Sequence, residues 1–121
     1  MTHGLSKSER VCSVKAVEAL VSGGRYLSSG PVRCCYFRRN DELALNRILV
    51  TVPKKFFKRA VKRNLLKRRM REAYRLQKEL LAPAAGMDLM FVYASREECD
   101  FNVIFNAIGT VLGTIGKRCR E

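Results

Sequence analysis

Val11, Val14, Ala16, Val17, Leu20 and Val21 recur at helix-like intervals behind Ser6 and Glu9, which stand at capping-box spacing, until Ser22-Gly23-Gly24 ends the pattern. This predicts a helix over 7–21. Beyond Arg25 the period falls to two: Val32, Cys34 and Tyr36 share one face and Arg33, Cys35 and Phe37 the other, and Ile48, Val50 and Val52 alternate with Leu49 and Thr51. With turn signals at Ser28-Ser29-Gly30-Pro31 and Arg39-Asn40-Asp41-Glu42, the stretch reads as strands 25–28, 32–38 and 45–52 in an antiparallel meander. Pro53 closes the third strand, and a long helix over 57–81 runs to Pro83 and Gly86. The continuous apolar run Leu89-Met90-Phe91-Val92-Tyr93 fits a mid-sheet strand buried on both faces. Asp100 is placed to cap a last helix striped by Phe101, Ile104, Phe105, Ile108, Leu112 and Ile115, with Gly109, Gly113 and Gly116 weakening its later turns. The expected fold class is an α+β two-layer sandwich in the order α-β-β-β-α-β-α, one domain over 1–121 without internal repeats.

At 121 residues and 47% hydrophobic, the chain supports one core, not two. Its 24 Lys and Arg against 11 Asp and Glu give a net charge of +13, which points to a polyanionic partner. The first thirty residues contain no uncharged apolar run suited to a secretory signal, and no segment is long enough to span a bilayer, so a cytoplasmic protein without a membrane partner is expected. Five cysteines form no Cys-x-x-Cys pair, and an odd count in such a chain argues for reduced, mostly buried thiols. His3 is the one histidine, so no protein metal site is expected.

The charge is concentrated. Residues 54–75 hold eleven basic side chains and one acid, Glu72, and account for +10 of the total. Like charges three and four residues apart cost a few tenths of a kcal/mol per pair, roughly, in a helix, and nothing within the segment compensates them, so a partner is expected to do so. In projection Leu66, Met70, Ala73, Tyr74, Gln77 and Leu81 form a docking stripe, while Asn64, Lys67, Arg68, Arg71, Arg75 and Lys78 form the opposite one. Arginine forks match phosphate oxygens bidentately, and Asn64 can both donate and accept toward a 2′-hydroxyl, a base edge or a metal-bound water. Phe56 and Phe57 fit core positions better than base-stacking ones.

The string Ala60-Val61-Lys62-Arg63-Asn64-Leu65-Leu66-Lys67-Arg68-Arg69-Met70-Arg71-Glu72-Ala73-Tyr74-Arg75 resembles the signature helix of the bacterial ribonuclease P protein subunit. The resemblance extends to Leu5-Ser6-Lys7, to Val50-Thr51-Val52-Pro53-Lys54-Lys55 and to Asp88, and departs at Leu65, where the family carries a second arginine. It implies a fold like a domain of a small-subunit ribosomal protein, with the long helix in a left-handed crossover between parallel strands; the general preference for parallel crossovers is right-handed. It also implies a partner, the catalytic RNA subunit, and a substrate, precursor tRNA, whose 5′ leader the Mg2+-requiring holoenzyme removes, with no cofactor held by the protein alone. On this reading Lys54, Lys55, Arg59, Lys62, Arg63, Asn64, Lys67, Arg68, Arg71 and Arg75 contact RNA, and Val21 with Cys35 or Tyr36 lines a path for the leader.

No protein catalytic residue is expected. His3 stands alone at the start of the chain, Asp41 and Glu42 occupy a turn, and Glu97, Glu98 and Asp100 precede a helix, so no carboxylate cluster suits a two-metal site. A ribosomal or other structural RNA-binding protein would share the charge and the fold. A DNA-binding regulator would need a helix-turn-helix pair that this element order does not supply, so no DNA partner is expected.

Overall fold

The computed structural model describes residues 14–38, 46–81 and 86–120. Its elements follow the predicted order: α1 (Val14–Gly23), β1 (Arg25–Ser29), β2 (Val32–Arg38), β3 (Arg47–Thr51), α2 (Ala60–Gln77), β4 (Met87–Tyr93) and α3 (Phe101–Arg120), with a 3-10 turn at Lys78–Leu80 after α2. The Ser6/Glu9 capping box, the turn at 39–42 and Pro83 lie outside the described residues. Several element boundaries move: α1 runs to Gly23 rather than residue 21, β1 to Ser29 rather than 28, β3 spans Arg47–Thr51 rather than 45–52, and α2 spans Ala60–Gln77 rather than 57–81. The later start of α2 arises because Phe56 donates its backbone N–H to the Pro53 carbonyl in a turn (3.2 Å) and Arg59 stays extended at the N-cap.

The strand order is β1-β2-β4-β3, which replaces the expected meander: β4 inserts between β2 and β3, antiparallel to the first and parallel to the second. The reason lies in β4 itself. Leu89, Phe91 and Tyr93 form a wholly buried row, and a strand that apolar gains most from neighbours on both sides. Its two faces are not equally covered, however. Leu89, Phe91 and Tyr93 join Val32, Cys34, Ile48 and Val50 beneath α2 and α3 in one core, whereas Met90 and Val92, on the other face, are only half-buried. That reverse face is covered in part by α1, whose Leu20 carbonyl accepts the Cys35 thiol at 3.2 Å. Burial raises the pKa of both Cys34 and Cys35, which keeps them as inert thiols.

Helix α2 docks through Leu66, Met70, Ala73 and Tyr74, as the periodicity predicts, and the Tyr74 ring meets Phe91 of β4 with centroids 6.0 Å apart. Gln77 turns toward α3 instead of the sheet, its amide donating to the Ala73 and Phe105 carbonyls. Asp100 caps α3 through its side chain on the Val103 N–H (3.0 Å). At the β3–β4 edge the one buried carboxylate of the described residues, Asp88, takes both forks of Arg47 at 2.9 and 2.8 Å.

The glycines of α3 differ in purpose. A Cβ at Gly116 would lie 2.3 Å from the Leu80 carbonyl oxygen, so glycine there permits the turn after α2 to close against α3, while a Cβ at Gly113 would meet nothing within 4 Å. Gly116→Ala is expected to destabilise the protein by about 1–3 kcal/mol through overpacking. Gly113→Ala should stabilise it by up to about 1 kcal/mol, the helix-propensity difference alone. Urea unfolding of the two variants checks the pair, and equal effects would contradict this packing.

Candidate nucleic-acid interface

With Leu66, Met70, Ala73 and Tyr74 held in the core, the opposite side of α2 is fixed outward: Asn64, Arg68 and Arg71 are exposed and Lys67 half-buried along one row. A helix docked in this way holds its donors on a rigid line, so less conformational entropy is lost when a strand of phosphates binds. Among the described residues Asn64, Lys67 and Arg68 make no polar contact with the protein, which leaves their donors for a partner.

The remaining basic residues of the segment divide. Arg63 Nη1 donates to the Phe57 and Lys58 carbonyls at 2.9 and 3.0 Å, closing the turn that leads into α2. Because Arg59 offers no side-chain cap and the first turn holds no acid, Arg63 is what ties down this helix entrance. Lys62 pairs with Glu98 at 3.2 Å, Arg69 donates to the Cys99 carbonyl at 2.7 Å with Glu98 3.9 Å away, and Arg75 is held by Glu72 one turn back. The expectation that nothing within the segment compensates its cations is therefore corrected, since Glu72 holds Arg75, and Glu98, distant in sequence, supplies two further contacts from outside it. Arg59 and Lys58 stay exposed at the entrance.

Glu98 reaches α2 because the segment before α3 is anchored. The Tyr93 hydroxyl donates to the Glu97 carbonyl and accepts the Cys99 N–H at 2.9 Å; burial raises its pKa and keeps the proton in place. The same segment carries Arg96, which the sequence reading missed. Its guanidinium lies 5.6 Å from the Phe56 ring centroid, and Lys55 approaches that ring at 5.1 Å. Phe56 is half-buried and Phe57 buried edge-on against Tyr93, with centroids 5.8 Å apart. Lys54 and Lys55, both exposed, extend the cationic surface from α2 toward the ends of β3 and β4.

The three leader-path residues do not meet on one surface. Val21 is exposed on α1, Cys35 is buried beneath that helix, and Tyr36 points through the sheet into the core under α3, where its hydroxyl accepts Arg118. Strand alternation separates Cys35 from Tyr36, and burial withdraws both side chains from solvent. What the reverse face does expose is Tyr26 with Arg33, the guanidinium 5.4 Å from the ring centroid, beside half-buried Met90 and Val92. The β1–β2 register places Tyr26 opposite Cys35, and the seat of α1 decides which of the pair stays accessible. No group of three or more His, Cys, Asp or Glu side chains among the described residues could hold a metal ion, and no described helix is long and apolar enough to cross a membrane.

The chain is similar to known proteins in both sequence and fold. The family model described as Ribonuclease P matches residues 5–116. The ribonuclease P protein component of Porphyromonas gingivalis strain W83 is 37% identical over 113 residues, spanning 88% of this chain and 82% of that protein. That of Chlorobaculum tepidum is 38% identical over 110 residues, spanning 80% and 71%. Among solved structures, the RNase P protein from Thermotoga maritima superposes with a TM-score of 0.74 at 21% identity, covering 88% of this chain and 97% of that one. The Staphylococcus aureus RNase P protein gives 0.73 at 20% identity, covering 89% and 95%.

The two groups of cations on α2 should respond differently to truncation. Lys67→Ala with Arg68→Ala is expected to leave stability within about 0.5 kcal/mol while lowering the log–log salt slope of RNA binding by about two. Arg63→Ala, which frees two carbonyls at the helix entrance, should cost about 1–3 kcal/mol of stability. Thermal melts and salt-titrated binding on the same proteins check both. Early melting of the Lys67/Arg68 variant, or wild-type stability of the Arg63 variant, would contradict these assignments.

Proposed function

This chain belongs to the ribonuclease P protein family, and from that premise we propose how its surface serves the RNA-based enzyme of which it is the protein subunit, the endoribonuclease that matures tRNA 5′ ends. The partner is the ribonuclease P RNA. The outward cations of α2, Lys67, Arg68 and Arg71, with Lys54, Lys55 and Arg59 at its entrance, neutralise phosphates of that RNA, and Asn64 beside them orders a polar or hydrated-metal contact. The single observation that supports this is the pairing on one helix of a buried stripe with an outward cationic row whose Lys67 and Arg68 are unspent within the protein. Lys62, Arg63 and Arg75 contribute field and shape more than direct contacts, since each already has an intramolecular partner.

Precursor tRNA is the substrate in this reading, and its single-stranded 5′ leader runs over the reverse face of the sheet beside α1. Tyr26, with Arg33 over its ring, offers a stacking platform there, and Val21 an apolar flank. This moves the leader path from Cys35 and Tyr36 to the exposed neighbours of the same strands. Stacking is tolerant of sequence, which suits substrates with varied leaders.

The protein's part in the cleavage is positional. In this reading the holoenzyme requires Mg2+ and the RNA subunit holds it, while Asp88 is spent on Arg47, Glu72 on Arg75, and Glu98 on Lys62 and Arg69. The chain's own groups lower the repulsion between two polyanions and fix the substrate strand, which reduces how much divalent cation the assembly needs.

The purified protein alone is expected to leave precursor tRNA intact, and with its RNA subunit to lower the Mg2+ concentration at which the leader is released. A magnesium titration of cleavage with and without the protein measures this. Processing by RNA-free protein that survives repeated purification would overturn the reading. So would an unchanged Mg2+ requirement.

A further inference from the structure

A cavity of about 770 Å³ opens at the end of the sheet opposite Lys54 and Lys55, where β1 begins, β2 ends and β4 begins, between the last turns of α1 and α3. Arg25, Arg38 and Arg118 line it together with Tyr36, Phe37 and Met87. Three guanidinium groups from three elements thus converge on one concave site, and none belongs to the α2 segment. All three are exposed, and no carboxylate pairs with any of them among the described residues. Asp88, opposite Phe37 in the strand register, is the nearest acid on the sheet, and both of its oxygens are taken by Arg47.

We propose that this pocket binds a phosphate group, with Arg25, Arg38 and Arg118 as its donors. The arrangement is partly built in advance. Arg118 donates to the Tyr36 hydroxyl at 2.5 Å, and this bond across the core holds a guanidinium from the last turns of α3 over the ends of β1 and β2. Arg25 sits opposite Tyr36 in the β1–β2 register, and Arg38 opposite Met87 in the β2–β4 register, so the strand ladders fix the other two. The C-terminal ends of α1 and α3 each bring about half a negative charge. Three full positive charges outweigh them, and arginine forks match phosphate oxygens in pairs. Half-buried Phe37 at the pocket wall adds an apolar surface on which a ring attached to that phosphate can rest.

The phosphate has two possible sources with the same chemistry, the backbone of an RNA strand or the diphosphate of a free nucleotide. The observations favour the strand. Five to seven residues of β-strand, at about 3.3 Å each, place this pocket roughly 20 Å from the Lys54/Lys55 end, a span that a few nucleotides cross. The pocket would then hold a second point of an RNA already bound at α2. This extends the ribonuclease P assignment without depending on it, because the first test measures no cleavage.

That test is calorimetric titration of the full chain with pyrophosphate at fixed ionic strength. Wild-type protein should show a site that Arg68→Gln leaves intact and that Arg25→Gln with Arg38→Gln weakens at least about tenfold, as expected when charge-assisted hydrogen bonds are lost. Arg25→Lys with Arg38→Lys, which keeps the charge and removes the forks, should fall between the two. It also guards against a glutamine variant that fails to fold. Undiminished binding by a folded glutamine variant, or loss of all binding on Arg68→Gln alone, would overturn the proposal. Competition then separates the sources. Displacement of pyrophosphate by a uridine hexanucleotide, sensitive to the Arg25/Arg38 pair, supports the RNA strand. Displacement by uridine diphosphate without the hexanucleotide supports the pocket and assigns it to a free nucleotide.

Discussion

Helix α2 carries more like charge than an isolated helix tolerates, and what holds it is the burial of Leu66, Met70, Ala73 and Tyr74 against the sheet. Like-charge neighbours on its outer side each cost a few tenths of a kcal/mol, roughly, whereas a single buried leucine or methionine contributes about 1.5–3 kcal/mol relative to exposure. The apolar stripe therefore wins, and the cations have nowhere to go but outward. Repulsion that destabilises the free protein becomes binding energy when a polyanion arrives. Glu98 and the carbonyls of Phe57, Lys58 and Cys99 relieve part of that repulsion in the meantime. They do so at Lys62, Arg63 and Arg69, and leave Lys67 and Arg68 uncommitted.

The sheet determines where that helix can sit. Placing β4 between β2 and β3 satisfies the most apolar strand on both edges, and it also brings the ends of β3 and β4 together beside the entrance to α2. Lys54, Lys55, Phe56 and Arg96 gather there as a consequence. The opposite ends of the same strands collect Arg25, Arg38 and Arg118 around a cavity. One topology thus produces two cationic points on either end of the sheet, with the Tyr26/Arg33 surface on the reverse face between α1 and the free edge.

The element order, the two stripes of α2 and the Asp100 cap are all legible in the chain, because each rests on spacing within one element: 3.6 residues per turn, two per strand repeat, three from a cap to the N–H it accepts. The same locality explains the errors. The meander misplaced β3 because hydrophobic alternation gives the face of a strand and says nothing of its neighbours. The start of α2 was set too early because Phe56 and Phe57 are as apolar in a turn and an extended segment as they would be in a helix. Tyr36 joined the leader path because the pattern shows that it and Cys35 point opposite ways, without showing which side α2 and α3 take.

Sequence by itself determined the cationic helix and its outward row and pointed to a polyanionic partner, since a run of eleven cations, seven of them on a periodic helix, fixes charge and direction together. Tertiary structure alone decided which of those cations are free. Lys62 and Arg69 are engaged by a residue about thirty positions away, Arg96 joins from beyond β4, and Arg118 reaches Tyr36 across 82 positions. Whether a guanidinium meets a carbonyl, a ring, a hydroxyl or solvent depends on contacts a few ångströms long between segments far apart in the chain, and those distances exist only once the sheet order has been chosen.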